Sequence, residues 1–341
     1  MPLRRDGGFH GLIHAKGARI VTPLSSAESG DIVFTHHHML AFSTCWNSAR
    51  LRDGEEMARE ILEMGFDTIE LGHGLQAPAV ASLLRAQEKM GFRVSSVHNF
   101  CPLPPEVMTD HPDCYEFTSH REEDRRRAVR LTRQTIDMAE RFGARFVVIH
   151  AGRVRTLSYT GQLRKLMEEG HVRNKAFGRI KLEAVQKREE VGETYVQRAL
   201  DCLAEIADYA GEKGITLGIE NRDDYEAVPS EREMANFLRR LDSKNAVYWH
   251  DFGHAQIKHN LSLLSHEQWL DKMGAQVGGC HVHDVKWPFS DHQAPFTGEV
   301  KFEELVPKLP KECLFVFEMN PRVPKEQVLA AAERWRTTFS Q

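Results

Sequence analysis

Four apolar, strand-like runs in this chain end in residue types that bind metal ions, and they recur at nearly constant spacing. ITLGIENR carries Glu220, AVYWHDFGH carries Asp251 and His254, VGGCHVHD carries His281, and LFVFEMN carries Glu318. The steps are 31 residues (220 to 251), 30 (251 to 281) and 37 (281 to 318). A β-strand with its crossover helix takes about 30 residues, so each step is one βα unit. In a closed barrel of such units all strand C-termini meet at one face, where active sites sit. Two Glu, one Asp and one His converging there form a three-carboxylate, one-imidazole site for a divalent cation.

The first half has its own regularity. Gly65 precedes FDTIELGH and His73, Gly91 precedes FRVSSVH and His98, Gly143 precedes ARFVVIH and His150, and Gly214 precedes ITLGIE and Glu220. A glycine just past a helix end takes the left-handed conformation that closes the helix, and a five- or six-residue apolar run then fits a buried parallel strand. The pattern yields eight strands, ending near residues 46, 73, 98, 150, 220, 251, 281 and 318, the first being HHMLAFSTCW. Capping signatures place helix starts at Asp53/Glu56, Ser119/Glu122, Ser230/Glu233 and Ser265/Gln268. TYVQRALDCLAEIADYAGEKG has apolar residues at helical spacing, and LAAAERWRTTF closes the chain as a helix. The expected fold is a (β/α)8 barrel over residues 31–341, preceded by an aperiodic extension at 1–30. The one long step, 70 residues from 150 to 220, holds a helical, basic insertion at about 153–190 after strand 4. Such an insertion lies on the catalytic face, as a lid, an oligomer contact or a solvated helical pair.

Bulk properties narrow the function. The 341-residue chain has a net charge of −4 and a pI near 6.5, which gives no global attraction to nucleic acid or to anionic membranes. No apolar run approaches the roughly 20 residues of a membrane span, and the N-terminus has no secretory h-region. The six Cys are scattered without a CxxC, as reduced thiols of a cytoplasmic protein.

In order and spacing, DTIELGHG, SSVHNFCPLP, FVVIHAG, LGIENR, DFGHA, HVHD, HQAPFTGEV and FEMN resemble the xylose-isomerase-like TIM-barrel superfamily, over about residues 38–335. That superfamily holds sugar and sugar-phosphate isomerases and epimerases, together with the endonuclease IV type of apurinic-site nuclease. The resemblance implies Glu220, Asp251, His281 and Glu318 as metal ligands, His281 being preferred to His283 because the family pattern is His-x-x-Asp. His254 matches a substrate-contacting residue of epimerases, while His292 and Glu299 match the loop after strand seven. The implied cofactor is one Mn²⁺, Zn²⁺, Mg²⁺ or Co²⁺ ion. Chemically, such a cation polarises an α-hydroxy ketone and stabilises the enediolate formed when the α-proton leaves. Proton transfer needs a carboxylate on each face, and Glu220 and Glu318 lie three units apart. The expected activity is therefore isomerisation or epimerisation of a sugar-like α-hydroxycarbonyl compound. A keto-sugar lyase or hydratase would use the same site.

Endonuclease IV uses these positions plus more histidines to hold three zinc ions. His98, His150, His254 and His292 supply similar donors here for a second ion or for substrate, although Asp291 and His292 are adjacent where the nuclease separates them by one residue. A metal-dependent phosphodiester hydrolase is thus the other reading, opposed by the acidic balance of the chain. Arg222, Lys286 and Trp46 are candidate substrate contacts, with Trp287 beside them. His73 stands between site lining and core. His36 to His38 read as surface or packing residues at the start of strand one, and Arg125 to Arg127 as the solvated face of a helix. His250 and His283 read as structural, turned away from the site.

Overall fold

The computed structural model describes residues 40–107, 112–172, 174–241 and 245–339. The expected extension at 1–30 and the triplet His36 to His38 lie outside them. Eight parallel strands close a barrel: β1 (Leu40–Ser43), β2 (Thr68–Leu71), β3 (Arg93–His98), β4 (Phe146–Ile149), β5 (Thr216–Glu220), β6 (Ala246–Asp251), β7 (Val277–Val282) and β10 (Leu314–Phe317). They neighbour one another in chain order, as the repeated βα spacing predicts. Between β7 and β10 a short antiparallel hairpin, β8 (Asp284–Lys286) and β9 (Ser290–Gln293), rises from what the sequence presents as a loop.

The helices are α1 (Gly54–Glu63), α2 (Ala77–Met90), α3 (Glu122–Phe142), α4 (Tyr159–Glu168), α5 (Lys175–Glu212), α6 (Glu231–Arg240), α7 (Phe252–Asn260), α8 (His266–Met273), α9 (Phe302–Leu305) and α10 (Lys325–Phe339). Gly91 and Gly143 close α2 and α3 at φ 74° and 67°, a conformation that costs a side-chain-bearing residue roughly 1 kcal/mol. Asp53 accepts from the amides of Glu55 and Glu56 to cap α1, and Ser230 with Glu233 completes a capping box on α6. Ser119 departs from expectation. Its hydroxyl accepts from the Arg121 amide at 3.2 Å, the chain makes one more turn, and α3 starts at Glu122 behind Arg121.

Strand alternation sorts the core into two shells. Phe42, Ile69, Val97, Val147, Leu217, Cys280 and Phe315 pack outward against the helices. Ala41, Phe146, Val148, Trp249, Leu314 and Val316 fill the barrel interior. Trp249 needs the room left by Gly279, where a Cβ would come within 2.3 Å of the indole. Its ring meets His281 edge-on at 5.3 Å and forms the floor beneath the strand ends.

The insertion is two helices, α4 and the front of α5, and α5 continues without a break through the helix expected at 194–214. A satellite core of Leu163, Met167, Phe177, Ile257, Leu261 and Val285 packs it against α7 and the hairpin. The buried Glu226 carboxylate accepts from the amides of Tyr159 and Thr160 at 2.7 and 3.1 Å. Arg188, also buried, bonds Glu233 at 2.7 Å. The insertion is therefore fastened to the β5–α6 loop and to the first turn of α6 by buried polar contacts.

Candidate metal centre and active site

The barrel brings Glu220, Asp251, His281 and Glu318 to one point. Glu220 ends β5, Asp251 ends β6 as the register partner of His281 on β7, and Glu318 extends β10 through its amide bond to the Val282 carbonyl. All four are at most 5% exposed. His281 Nδ1 stands 3.2 Å from Glu318 Oε2, 3.7 Å from Glu220 Oε2 and 3.8 Å from Asp251 Oδ2. That nitrogen is fully buried and makes no hydrogen bond of proper geometry. A buried lone pair facing three carboxylates is what a divalent cation would satisfy, and the donor set fits one.

Five more imidazoles surround this point. His150 Nε2 lies 3.0 Å and His98 Nε2 3.5 Å from Glu220 Oε2, so these two histidines and Glu220 make a second compact donor group. His254 Nδ1 sits 3.1 Å from Glu220 Oε1 and 3.3 Å from Asp251 Oδ2. His292 stacks on His283 with ring centroids 4.0 Å apart. Arg222 points the same way as Glu220, with Nη1 3.3 Å from Glu220 Oε1.

Two expectations need correction. His283 is not turned away: it lies two residues after His281, hence on the same face, and its Nε2 is 3.1 Å from Asp251 Oδ2. Trp46 does not line the site, because β1 stops at Ser43 and a short 3₁₀ turn carries the indole into the core. There Nε1 donates to the Val323 carbonyl at 2.9 Å, and the ring is 3% exposed. Lys286 stands exposed at the end of β8. His250 is buried elsewhere, bonded to the Tyr248 hydroxyl at 2.7 Å and to His266 at 3.0 Å.

Several neighbours escaped the sequence reading. Glu70, inside β2, holds His281 Nε2 at 3.2 Å and receives the Ser96 hydroxyl at 2.8 Å. Asp113, on the loop before α3, holds His150 Nδ1 at 2.7 Å. Asn221 bonds the Asp251 amide through its Oδ1 at 2.8 Å. A carboxylate inside an apolar run was the available signal for Glu70. Asp113 and Asn221 carry no comparable signal.

Electrostatics follow from this crowding. Burial alone would raise the Glu220 carboxyl, but the His150 and His281 imidazoles outweigh it and hold the group well below the usual range. Glu318 is buried too, yet His281, His292 and His98 bring it down to about 2. Burial lowers the proton affinity of His254, but Asp251 and a hydrogen bond to Glu220 raise it to about 9 despite the opposing Arg222. For His281, burial is likewise overcome, by Glu318, Glu70 and Glu220, which lift it well above its ordinary value. The carboxylates thus demand positive charge. A cation would supply it and release the imidazole protons.

Beside the centre a cavity of about 460 Å³ is lined by Cys45, His73, His292, Glu318 and Asn320 among others, within the size range of small-molecule sites. A polar hollow of about 220 Å³ lies on the Arg222 side, between Asp113, Glu116, Arg153 and Asp223.

The family model for the xylose isomerase-like TIM barrel matches residues 58–338. The chain belongs to this family. No curated protein sequence matches it. Among solved structures, this xylose isomerase-like barrel is similar to a D-tagatose 3-epimerase-like protein at 17% identity and TM-score 0.62, covering 88% of this chain and 96% of that one. It is also similar to the 3-keto-D-glucoside 4-epimerase of E. coli, at 14% identity and TM-score 0.61, covering 88% and 99%. D-psicose 3-epimerase of Clostridium cellulolyticum H10, solved with D-tagatose, follows at 12% identity and TM-score 0.61, covering 89% and 100%. At such identities the likeness is one of fold. Among the described residues no helix is long and apolar enough to cross a membrane.

Proposed function

We propose that this protein is a metal-dependent isomerase or epimerase of a sugar or sugar-like α-hydroxycarbonyl compound. The observation that carries the reading is the orphaned His281 Nδ1 facing Glu220, Asp251 and Glu318. These four residues would hold one divalent cation, which when bound supplies polarisation of a carbonyl and charge stabilisation beside it. Glu220 and Glu318 flank His281 from strands three apart in the barrel, so a small substrate between them meets a carboxylate on each side. Both are held ionised by neighbouring imidazoles, as a base that removes a proton next to a carbonyl must be. One Glu takes the proton from carbon. The same or the opposite Glu returns it, giving isomer or epimer. Arg222 and His254 donate to substrate oxygens at the rim, and the acidic and basic walls of the Arg222 hollow suit sugar hydroxyls. The solved structures named for D-tagatose, D-psicose and 3-keto-D-glucoside chemistry motivate free ketohexoses and keto-glycosides as the first substrate panel.

The test is solvent-deuterium incorporation. With Mn²⁺, Mg²⁺, Co²⁺ or Zn²⁺ restored, an accepted ketose in D₂O should gain deuterium at the carbon next to the carbonyl without losing a fragment. Loss of water or of a fragment would instead assign a lyase or hydratase to the same residues.

A second reading is motivated by the separate His98–His150–Glu220 and His254–His283–His292 donor groups. Three ions so held would fit a phosphodiester hydrolase. Cleavage of abasic DNA, with two or three Zn²⁺ per chain, would favour it over the isomerase.

A further inference from the structure

A further donor group shares only Glu318 with the sets considered above. Cys45 follows β1, His73 follows β2 and Glu318 follows β10, and these three strands are neighbours in the barrel. One donor atom from each lies within 4.8 Å of the other two. Cys45 Sγ is 3.6 Å from Glu318 Oε1, the oxygen that does not face His281. With a metal–sulfur bond of about 2.3 Å, a metal–oxygen bond of about 2.1 Å and tetrahedral angles, sulfur and oxygen would stand about 3.6 Å apart.

The thiol has a built seat. A Cβ at Gly72 would come within 2.3 Å of Cys45 Sγ, so the sulfur occupies space that only glycine leaves. The Gly72 amide donates to Thr44 Oγ1 at 2.9 Å, tying the segment that carries His73 to the one that carries Cys45. The group opens onto the 460 Å³ cavity, which leaves a path for an exchangeable fourth ligand.

We propose that Cys45, His73 and Glu318 form a separate binding site for a borderline-soft divalent cation of the Zn²⁺ class, with Glu318 bridging it to the His281 centre. A thiolate, an imidazole and a carboxylate around an open fourth position are a zinc donor set, whereas Mg²⁺ or Mn²⁺ would not select the sulfur. The site shares only Glu318 with the four-donor centre, and it stands whether or not that centre carries out the proposed reaction.

The test uses the full chain, stripped with a chelator, reloaded with Co²⁺ or Zn²⁺ and desalted. Wild type should show the near-ultraviolet thiolate-to-Co²⁺ charge-transfer band. Cys45→Ser should abolish that band and remove about one equivalent of Zn²⁺ by elemental mass spectrometry. Asp251→Ala, which removes one donor oxygen from the four-donor centre and none from the Cys45 group, should lower the ion count while keeping the band, so the two sites are read separately. His73→Gln gives a second route should Cys45→Ser fold poorly, and it should weaken Co²⁺ binding with the circular dichroism unchanged. Absence of the band in wild type, or its survival in Cys45→Ser, overturns the proposal. The latter result would point to another thiol, such as the buried Cys280 and Cys313 with sulfurs 3.5 Å apart.

Discussion

The Glu70 carboxylate lies 3.2 Å from His281 Nε2, joining two fully buried side chains whose strands are not neighbours in the barrel. Accepting the Nε2 proton fixes the tautomer in which the Nδ1 lone pair looks toward Glu220, Asp251 and Glu318. Replacing Glu70 with Gln keeps the shape but weakens that hold, because an amide can also donate and so favour the wrong tautomer. Metal affinity in Glu70→Gln should fall by roughly 10- to 100-fold, measured by calorimetric titration of the stripped protein with Mn²⁺ or Zn²⁺. Unchanged affinity would mean that the ring is oriented by its packing against Trp249 alone.

Glu220→Gln and Glu318→Gln separate proton transfer from binding. Each removes a base while keeping an oxygen donor, so turnover should drop by about 10²- to 10⁴-fold. If one Glu only removes the proton and the other only returns it, exchange of the substrate proton with D₂O should survive one substitution while net conversion is lost in both. Wild-type turnover in either variant would end the acid/base assignment.

The barrel and its donor centre were legible because both are periodic: eight apolar runs, four of them ending in ligand-type residues about one βα unit apart. What was not legible depends on geometry that periodicity does not encode. Glu70 reaches His281 across the barrel mouth, over a separation of 211 residues. Trp46 was lost to the pocket by three residues of 3₁₀ turn, which rotate it from strand end to core. His283 was misjudged by treating a neighbour of a ligand position as turned away, although two residues along an extended chain restore the facing. Asp113 belongs to a loop with no pattern at all.

The metal-free protein should lose stability as pH rises. Folding raises His254 from its ordinary 6.5 to about 9, because Asp251 and Glu220 outweigh burial and Arg222. A group raised on folding contributes fully below its unfolded value, and that contribution is lost as pH climbs through its folded value. Thermal unfolding of chelator-treated protein should therefore shift downward between about pH 6.5 and 9, and His254→Gln should flatten that part of the profile. Restoring the cation should flatten it too, since cation and proton compete for the same carboxylates.

Trp46→Ala should cost about 3 to 5 kcal/mol in urea unfolding while leaving the substrate KM of the surviving folded protein unchanged. The indole packs edge-on against Phe42 at 5.7 Å and donates to Val323, so its role is to brace the β1 end against the segment after β10. A rise in KM with unchanged stability would instead return Trp46 to the substrate wall.

Glu226 should control the insertion without touching the centre. Its carboxylate accepts from two amides in the first turn of α4 and from the Thr160 hydroxyl at 2.6 Å, all in a buried setting. The negative charge also suits a helix N-terminus. Alanine there leaves buried donors without partners, at about 1 to 3 kcal/mol each. That penalty falls on α4 and not on the barrel strands, which keep their own ladder. Hydrogen exchange of the α4 amides should accelerate by at least about tenfold in Glu226→Ala, that being the equivalent of about 1.4 kcal/mol, while amides of β5 and β6 keep their protection. Glu226→Gln, which retains one acceptor oxygen, should fall between. Equal acceleration in the barrel strands would show that the insertion and the barrel open as one unit, and that α4 is part of the core's stability rather than a cover fastened to it.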